Sequence, residues 1–389
     1  MRDVEYVDND QQLSAAVQAI REQPLIAFDT EFVGEATYEP QLCLLQVATG
    51  DGIWLIDPLA NLDLTAFWEA LTEPDREVVA VAARQEILFC LRYAKRPPAQ
   101  LFDPQVAAGL LGFGYPLSHT NLVFKVLDMR VKAGETFTDW RRRPLSRAQL
   151  EYAADDVRHL LAIRTGLVTL AEEKNRVPWL RSECAALVAK TIAREADEGW
   201  TRLGSVAGLK PRDQAAAREL WRWRDSRAMA ANLPPRRIVG DDLLMQVVKR
   251  NPRSLNELLA LRGFDRPGLR REAEDIVGVL NRARELPEEQ LPKLRRREDP
   301  PQLTILSQLC AVVANSLAAR HRVDPVLLAT AADLQDLVRW HLGVGDGAKP
   351  AALEGWRGEI LGEPLLKLLS GKSTVRVADM QSANPLRVE

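Results

Sequence analysis

Two carboxylates close an apolar run near the start of the chain, Leu25-Ile26-Ala27-Phe28-Asp29-Thr30-Glu31-Phe32. Read as a strand, its period of two puts Ala27, Asp29 and Glu31 on one face and Phe28, Thr30 and Phe32 on the other. Two acids side by side at the end of a buried strand repel each other and are costly to desolvate. A divalent cation relieves both costs. The plainer reading is a strand that ends at the surface in a solvated acidic turn. A second pair lies far downstream, where Tyr152 and Asp156 stand four apart in a helical stretch and so project from one face. A phenol beside a carboxylate can equally be a satisfied pair packed on a core. Upstream of it, Thr138-Asp139-Trp140-Arg141-Arg142-Arg143-Pro144-Leu145 gathers three arginines beside a tryptophan, which alone reads as a solvated loop.

The elements that must position these groups are legible in outline. Leu13, Val17 and Ile20 have helical spacing and lead into the acidic strand. Leu42–Ala48 and Ile53–Asp57 flank Thr49-Gly50-Asp51-Gly52, a hairpin signature, so the first three strands are expected as an antiparallel meander with the acidic strand first. Beyond Leu64, helical patterns alternate with short apolar runs such as Val78-Val79-Ala80-Val81. Asp103 before Pro104 has the form of a helix N-cap. Ser146-Arg147-Ala148-Gln149 has the form of a capping box opening a helix to about Glu173. Three strands followed by alternating helix and strand imply a mixed α/β sheet covered by helices. After about residue 200 the pattern turns helical. A proline- and charge-rich stretch divides two helical blocks, and the tail beyond Val375 reads as loosely ordered.

At 389 residues the chain is too long for one core. Its 46% apolar and 27% charged content is that of a globular protein. The acidic N-terminus lacks the apolar core of a signal peptide, and no unbroken apolar run is long enough to cross a bilayer, so a cytoplasmic protein without a membrane partner is expected. Cys43, Cys90, Cys184 and Cys310 are scattered without a CxxC pair, which argues for reduced thiols and against a zinc site. Residues 1–200 carry 21 Lys and Arg against 30 Asp and Glu, a net of −9; residues 201–389 carry 31 against 24, a net of +7. An acidic half joined to a basic half suits a cation-dependent catalytic part beside one that holds a polyanion.

Phe28-Asp29-Thr30-Glu31-Phe32, the Thr138–Leu145 segment and Tyr152-x-x-x-Asp156 together resemble the ribonuclease D family of DEDD 3′–5′ exonucleases. The resemblance implies an α/β ribonuclease H-like exonuclease domain over 1–200. It also implies catalytic roles for Asp29, Glu31, Glu86, Tyr152 and Asp156. Glu86 departs from the family pattern. In Val81-Ala82-Ala83-Arg84-Gln85-Glu86-Ile87 it stands where the family usually has Asp, and Val81 stands where it has His. The longer arm moves the carboxylate outward by ~1.5 Å. Asp103 is the rival third acid, but it reads better as a cap. The resemblance further implies two divalent ions, Mg²⁺ or Mn²⁺, held by Asp29, Glu31, Glu86 and Asp156, with Tyr152 orienting the attacking water.

The block around Leu220-Trp221-Arg222-Trp223-Arg224-Asp225 and Ile238–Leu244 resembles an HRDC domain, expected over 210–286. A linker is expected at 287–302, a divergent second HRDC-like domain at 303–375, and a tail at 376–389. Phe32, Arg141, Arg142, Arg222, Arg224, Arg236 and Arg237 are candidate RNA contacts, while the tryptophans read as core. The expected activity is release of nucleoside 5′-monophosphates from RNA 3′ ends, with tRNA precursors as substrates and a monomeric enzyme. A DNA 3′–5′ exonuclease and a catalytically impaired RNA-binding protein are the alternatives.

Overall fold

The computed structural model describes residues 4–131, 138–264, 266–294, 299–345 and 347–389. The described chain forms two compact units. One comprises Met1–Glu31, Cys43–Ile192 and Glu298–Glu389, and the other Phe32–Leu42 and Ala193–Arg297.

The first unit is built on a six-stranded mixed sheet. Its strands are β1 (Val4–Val7), β2 (Leu25–Val33), β3 (Gln41–Ala48), β4 (Ile53–Ile56), β5 (Glu77–Val79) and β6 (Gln100–Phe102), in the order β1-β4-β3-β2-β5-β6. The expected meander is present as β2-β3-β4, with β4 antiparallel to β3. It is extended by β1, parallel to β4, and by β5 and β6, which run parallel to β2 and to each other. β1 and β6 carry only four and three residues, too few for an alternating pattern to declare itself. Helices α1 (Asp10–Arg21), α2 (Thr65–Leu71), α3 (Arg84–Tyr93), α4 (Pro104–Leu110), α5 (His119–Leu127), α6 (Arg147–Arg158), α7 (Leu160–Glu173) and α8 (Val177–Ala196) complete this part of the unit.

The α6 capping box is formed on both sides. The Ser146 hydroxyl accepts from the Gln149 amide at 3.2 Å, and the Gln149 side chain accepts from the Ser146 amide at 2.9 Å. The helix does not run unbroken to Glu173, because a single non-helical residue, His159, separates α6 from α7.

The second unit is helical. α9 (Pro211–Ala231) is its longest element, followed by α10 (Pro235–Ile238), α11 (Asp241–Arg250), α12 (Leu255–Leu259), α13 (Pro267–Arg271) and α14 (Ala273–Glu285). Leu220, Leu244, Val248, Phe264, Ile276 and Leu280 form its core, with Trp221 and Trp223 packed against it. Residues 32–42 cluster with these helices. Tyr38 donates its hydroxyl to Asp225 at 2.9 Å and its amide to the Asn232 side chain at 3.2 Å. The proline-rich stretch expected as a linker is partly packed. The Leu294 backbone and the Gln214 side chain exchange hydrogen bonds of 2.8 and 3.0 Å.

Helices α15 (Leu303–His321), α16 (Pro325–Leu328), α17 (Ala331–His341), α18 (Gly355–Arg357) and α19 (Glu363–Leu369) follow. Where the sequence reads a separate helical domain, the structure places this block in the compact unit of the sheet. Buried Glu183 of α8 explains the attachment. It accepts from the Trp356 indole and the Arg357 guanidinium at 2.8 Å each. Trp179 stacks on Trp356 at 4.9 Å, and Asp324 accepts from the Tyr115 amide at 3.0 Å. α15 is long and apolar enough to cross a membrane by length and composition, and it serves here as the central helix of its block. The tail is ordered rather than loose. β7 (Val375–Val377) and β8 (Leu386–Val388) form an antiparallel hairpin, tied to α15 by Asn384, which accepts from the Ser316 hydroxyl at 2.8 Å.

Candidate active site

β2 is held by its apolar face. Phe28 is fully buried, with ring centroids 6.2 Å from both Phe67 and Trp68 of α2. That anchoring leaves Asp29 and Glu31 on the opposite face by strand alternation, and both are half-buried. Thr30, on the Phe28 face, is buried and donates its hydroxyl to Glu86 Oε1 at 2.7 Å. Glu86 lies in the first turn of α3 and is only 4% exposed.

Asp156 and Tyr152 come from α6, one turn apart, and the phenol and the carboxylate influence each other's protonation. The phenol is pushed above its ordinary pKa, first by burial and then by Asp156, Glu31 and Asp29, so it stays neutral. The Trp140 ring, itself buried, packs on Tyr152 with centroids 6.0 Å apart.

The four acids act on one another. Burial, then Asp29, Asp156 and Glu86, push the Glu31 carboxyl up to about 9. Asp156 rises to about 8 through burial and then Asp29, with Tyr152 opposing. Asp29 is raised by burial, and Glu86 by burial and then by Asp29. The structure therefore brings Asp29, Glu31, Glu86 and Asp156 together from three separate segments. No three His, Cys, Asp or Glu side chains among the described residues already close on a single point as an ion cage. The donor set nevertheless fits hard divalent cations in kind. It is all oxygen, and its mutual repulsion is what cationic charge would relieve.

Asp103 is a scaffold residue. It caps α4 by accepting from the Gln105 amide at 2.8 Å, and its other oxygen accepts from the Ala83 amide at 3.3 Å, at the start of the helix that carries Glu86. His119 is pushed down to about 4 by burial and by the nearby His159, and its buried Nε2 has no partner.

Sequence reasoning missed the bracket that holds Trp140. Arg143 forks onto Asp57, Nε to Oδ2 at 2.5 Å and Nη2 to Oδ1 at 2.6 Å. The same guanidinium donates to the carbonyls of Cys43 at 2.7 Å and Trp140 at 2.8 Å, while Tyr6 donates its hydroxyl to Asp57 at 2.6 Å. The only signal was an Asp at a strand end and one arginine among three, and neither announces a partner about 86 positions away.

The candidate RNA contacts divide. Phe32 and Arg142 are exposed, and Arg141 is exposed but forked onto Asp139 at 2.8 and 3.1 Å. In the helical unit Arg236 and Arg237 are exposed. Arg224 is not a surface residue. It is 5% exposed, donates to the Val239 carbonyl at 3.0 Å and pairs with Asp241. Arg222 is held by Glu198 at 2.8 and 3.0 Å and by Glu219 at 3.1 Å. Except for Glu219, the acids that hold them lie outside α9, which the sequence pattern alone did not reveal.

A family model described as 3′–5′ exonuclease matches residues 4–172, and one described as HRDC domain matches residues 213–280. Ribonuclease D of Shewanella sp. (strain ANA-3) is 31% identical over 383 residues, covering 94% of this chain and 94% of the relative. Ribonuclease D of Gluconacetobacter diazotrophicus is 32% identical over 377 residues, covering 95% and 94%. The crystal structure of Escherichia coli RNase D, described as an exoribonuclease involved in structured RNA processing, superposes with a TM-score of 0.83 at 28% identity, over 95% of this chain and 99% of that one. The catalytic core of RRP6 from Trypanosoma brucei shares the fold, with a TM-score of 0.54 at 22% identity over 73% of this chain and 80% of that one.

Proposed function

The chain belongs to the ribonuclease D family, and from that premise we propose how it acts as a 3′–5′ exoribonuclease. Asp29, Glu31, Glu86 and Asp156 would hold two divalent cations, Mg²⁺ or Mn²⁺. Such ions, when bound, neutralise the phosphodiester, activate a water and stabilise the leaving 3′-oxygen. The observation that carries this reading is the convergence of four carboxyls whose pKa values are all raised by burial.

The chain's own part is positional. Tyr152 is a neutral phenol beside Asp156, so it is suited to orienting a water and unsuited to removing its proton. Trp140 packs against that phenol and fixes its ring. Thr30 occupies one oxygen of Glu86 and leaves the other for a cation or its water shell. The products are nucleoside 5′-monophosphates. The substrates we propose are RNA 3′ ends such as those of tRNA precursors, met by a monomeric, cytoplasmic enzyme. The exposed Phe32, Arg142, Arg236 and Arg237 support RNA contact, and 303–375 is assigned as a divergent second HRDC-like region.

The test is degradation of a 3′-overhang RNA and a matched DNA by wild type, Asp29→Asn and Glu86→Ala, with Mg²⁺, Mn²⁺ or chelator. Metal-dependent loss of RNA by wild type alone is expected. Equal metal-independent traces from all three would sink the reading, and faster loss of DNA would replace it with a DNA exonuclease. RNA binding without turnover by the wild type would mean that Glu86 does not serve as the third acid.

A further inference from the structure

The C-terminal helical block carries an open groove of about 880 Å³ that the exonuclease chemistry does not use. It is lined by Trp340, Lys349, Leu353, Leu366, Lys367 and Lys372, among others. α17 buries Leu334, Leu337 and Val338 as its core stripe. Trp340 stands one turn from both Leu337 of that stripe and Asp336 of the polar side, and is 37% exposed. The indole thus sits at the border of the core stripe, partly covered and partly open to the groove.

The charges around it are mostly basic. Glu363 engages Lys367 at 2.7 Å. Lys349 and Lys372 pair with no acid among the described residues, against which the lining sets one further acid, Glu359, and His341. The wall beside them contains Gly355 and Gly358, which leave backbone rather than side chain at the surface. An aromatic face, an apolar floor of Leu353 and Leu366, and two available ammonium groups fit a nucleobase and its phosphate. Sequence-tolerant binding of single strands uses the same combination.

We propose that this groove binds one unpaired nucleotide of a single-stranded RNA, its base stacked on Trp340 and its phosphate met by Lys349 and Lys372. None of its lining residues belongs to the acid cluster, and the proposal rests on the exoribonuclease reading above. It predicts that the C-terminal block contributes affinity for long substrates without contributing to the chemistry.

The experiment uses the full chain. Dissociation constants for an unstructured oligonucleotide RNA are measured in the Asp29→Asn background for the native residue, Trp340→Ala, Trp340→Phe and the pair Lys349→Glu/Lys372→Glu. Turnover of a dinucleotide is measured in the otherwise wild-type chain. Trp340→Ala should weaken binding of the long RNA by about tenfold, with Trp340→Phe restoring most of it. The charge-reversed pair should weaken binding and flatten its salt dependence. Dinucleotide turnover should not change. Thiouridine-substituted RNA should photocrosslink within the peptide that carries Trp340. Unchanged affinity in all variants, or crosslinks confined to other segments while the wild type still degrades RNA, would overturn this site alone. A wild type that neither binds nor degrades RNA would overturn it together with the exoribonuclease reading.

Discussion

Arg143 is the residue whose loss should most clearly separate positioning from bulk stability. Asp57 is 3% exposed and accepts both arms of the Arg143 fork, together with the Tyr6 hydroxyl and the Leu59 amide. Removing one partner of a buried pair costs about 3–5 kcal/mol. The Arg143 side chain is 24% exposed, so solvent can reach the vacated place and Arg143→Ala should cost ~3 kcal/mol, the lower end of that range. The same change releases the Trp140 carbonyl and with it the ring packed on Tyr152. Misplacement of a positioning group by an ångström can lower turnover by about a hundredfold. Arg143→Ala is therefore expected to lower kcat by roughly ten- to a hundredfold with KM little changed. Arg143→Lys keeps the charge but not the fork, and should recover stability better than it recovers kcat.

Denaturant unfolding and single-turnover decay of one RNA measure the two quantities on the same samples. A variant that loses the stability while keeping native kcat would refute the bracket as a positioning device. So would strictly additive effects of Arg143→Ala and Asp57→Asn, since partners in one network should be coupled. The pair also has a pH signature. Burial alone would raise the Asp57 carboxyl, but hydrogen bonds from Arg143, Tyr6 and the Leu59 amide outweigh it and hold it below the usual carboxylate range. Its contribution is thus fully present above the unfolded value of about 3.9 and is lost as pH falls through the depressed folded value. Wild type should lose stability over that acid window more steeply than Asp57→Asn.

Tyr152→Phe should lower kcat while leaving RNA affinity close to wild type, as equilibrium binding beside single-turnover rates would show; a selective loss of binding would contradict the water-orienting role. Thr30→Val leaves the buried Glu86 without its donor at about 1–3 kcal/mol, and should raise the Mg²⁺ concentration needed for half-maximal rate; an unchanged metal titration would count against Glu86 as a ligand. Glu183→Ala abandons Arg357 and Trp356 in a buried setting at about 3 kcal/mol, and limited proteolysis should then cut between α8 and the C-terminal block faster than in wild type; equal cutting would show that the attachment does not depend on this pair.

What the sequence revealed, and what it hid, follows from interaction range. Strand alternation put Asp29 and Glu31 together because a period of two is a local property. The α6 cap was legible because Ser146 and Gln149 are three residues apart. The Asp57–Arg143 bracket and the Thr30–Glu86 bond span 86 and 56 positions and leave no periodic trace. The same holds for Glu183, whose partners lie 173 and 174 residues on, which is why the C-terminal block read as a domain of its own. Arg222 and Arg224 misled for the complementary reason. An arginine cluster looks like an RNA surface until the acids that neutralise it are placed beside it, and Glu198 and Asp241 come from outside α9.

Glu86 is where local pattern and tertiary packing have to be weighed against each other. The longer side chain could have pushed the third carboxylate out of reach of the other acids. Instead, Thr30 holds it from the strand that carries Asp29 and Glu31. Asp103 steadies the start of its helix through the Ala83 amide. With Oε1 engaged by Thr30, Glu86 has one oxygen left, which suits a supporting ligand better than a bidentate one. An acid retained only for packing would gain nothing from a burial that raises its pKa in concert with Asp29. On the proposed reading, the hydrogen bond from Thr30 offsets the longer side chain. Its cost should appear in metal affinity rather than in the chemical step, which is what the Thr30→Val titration measures.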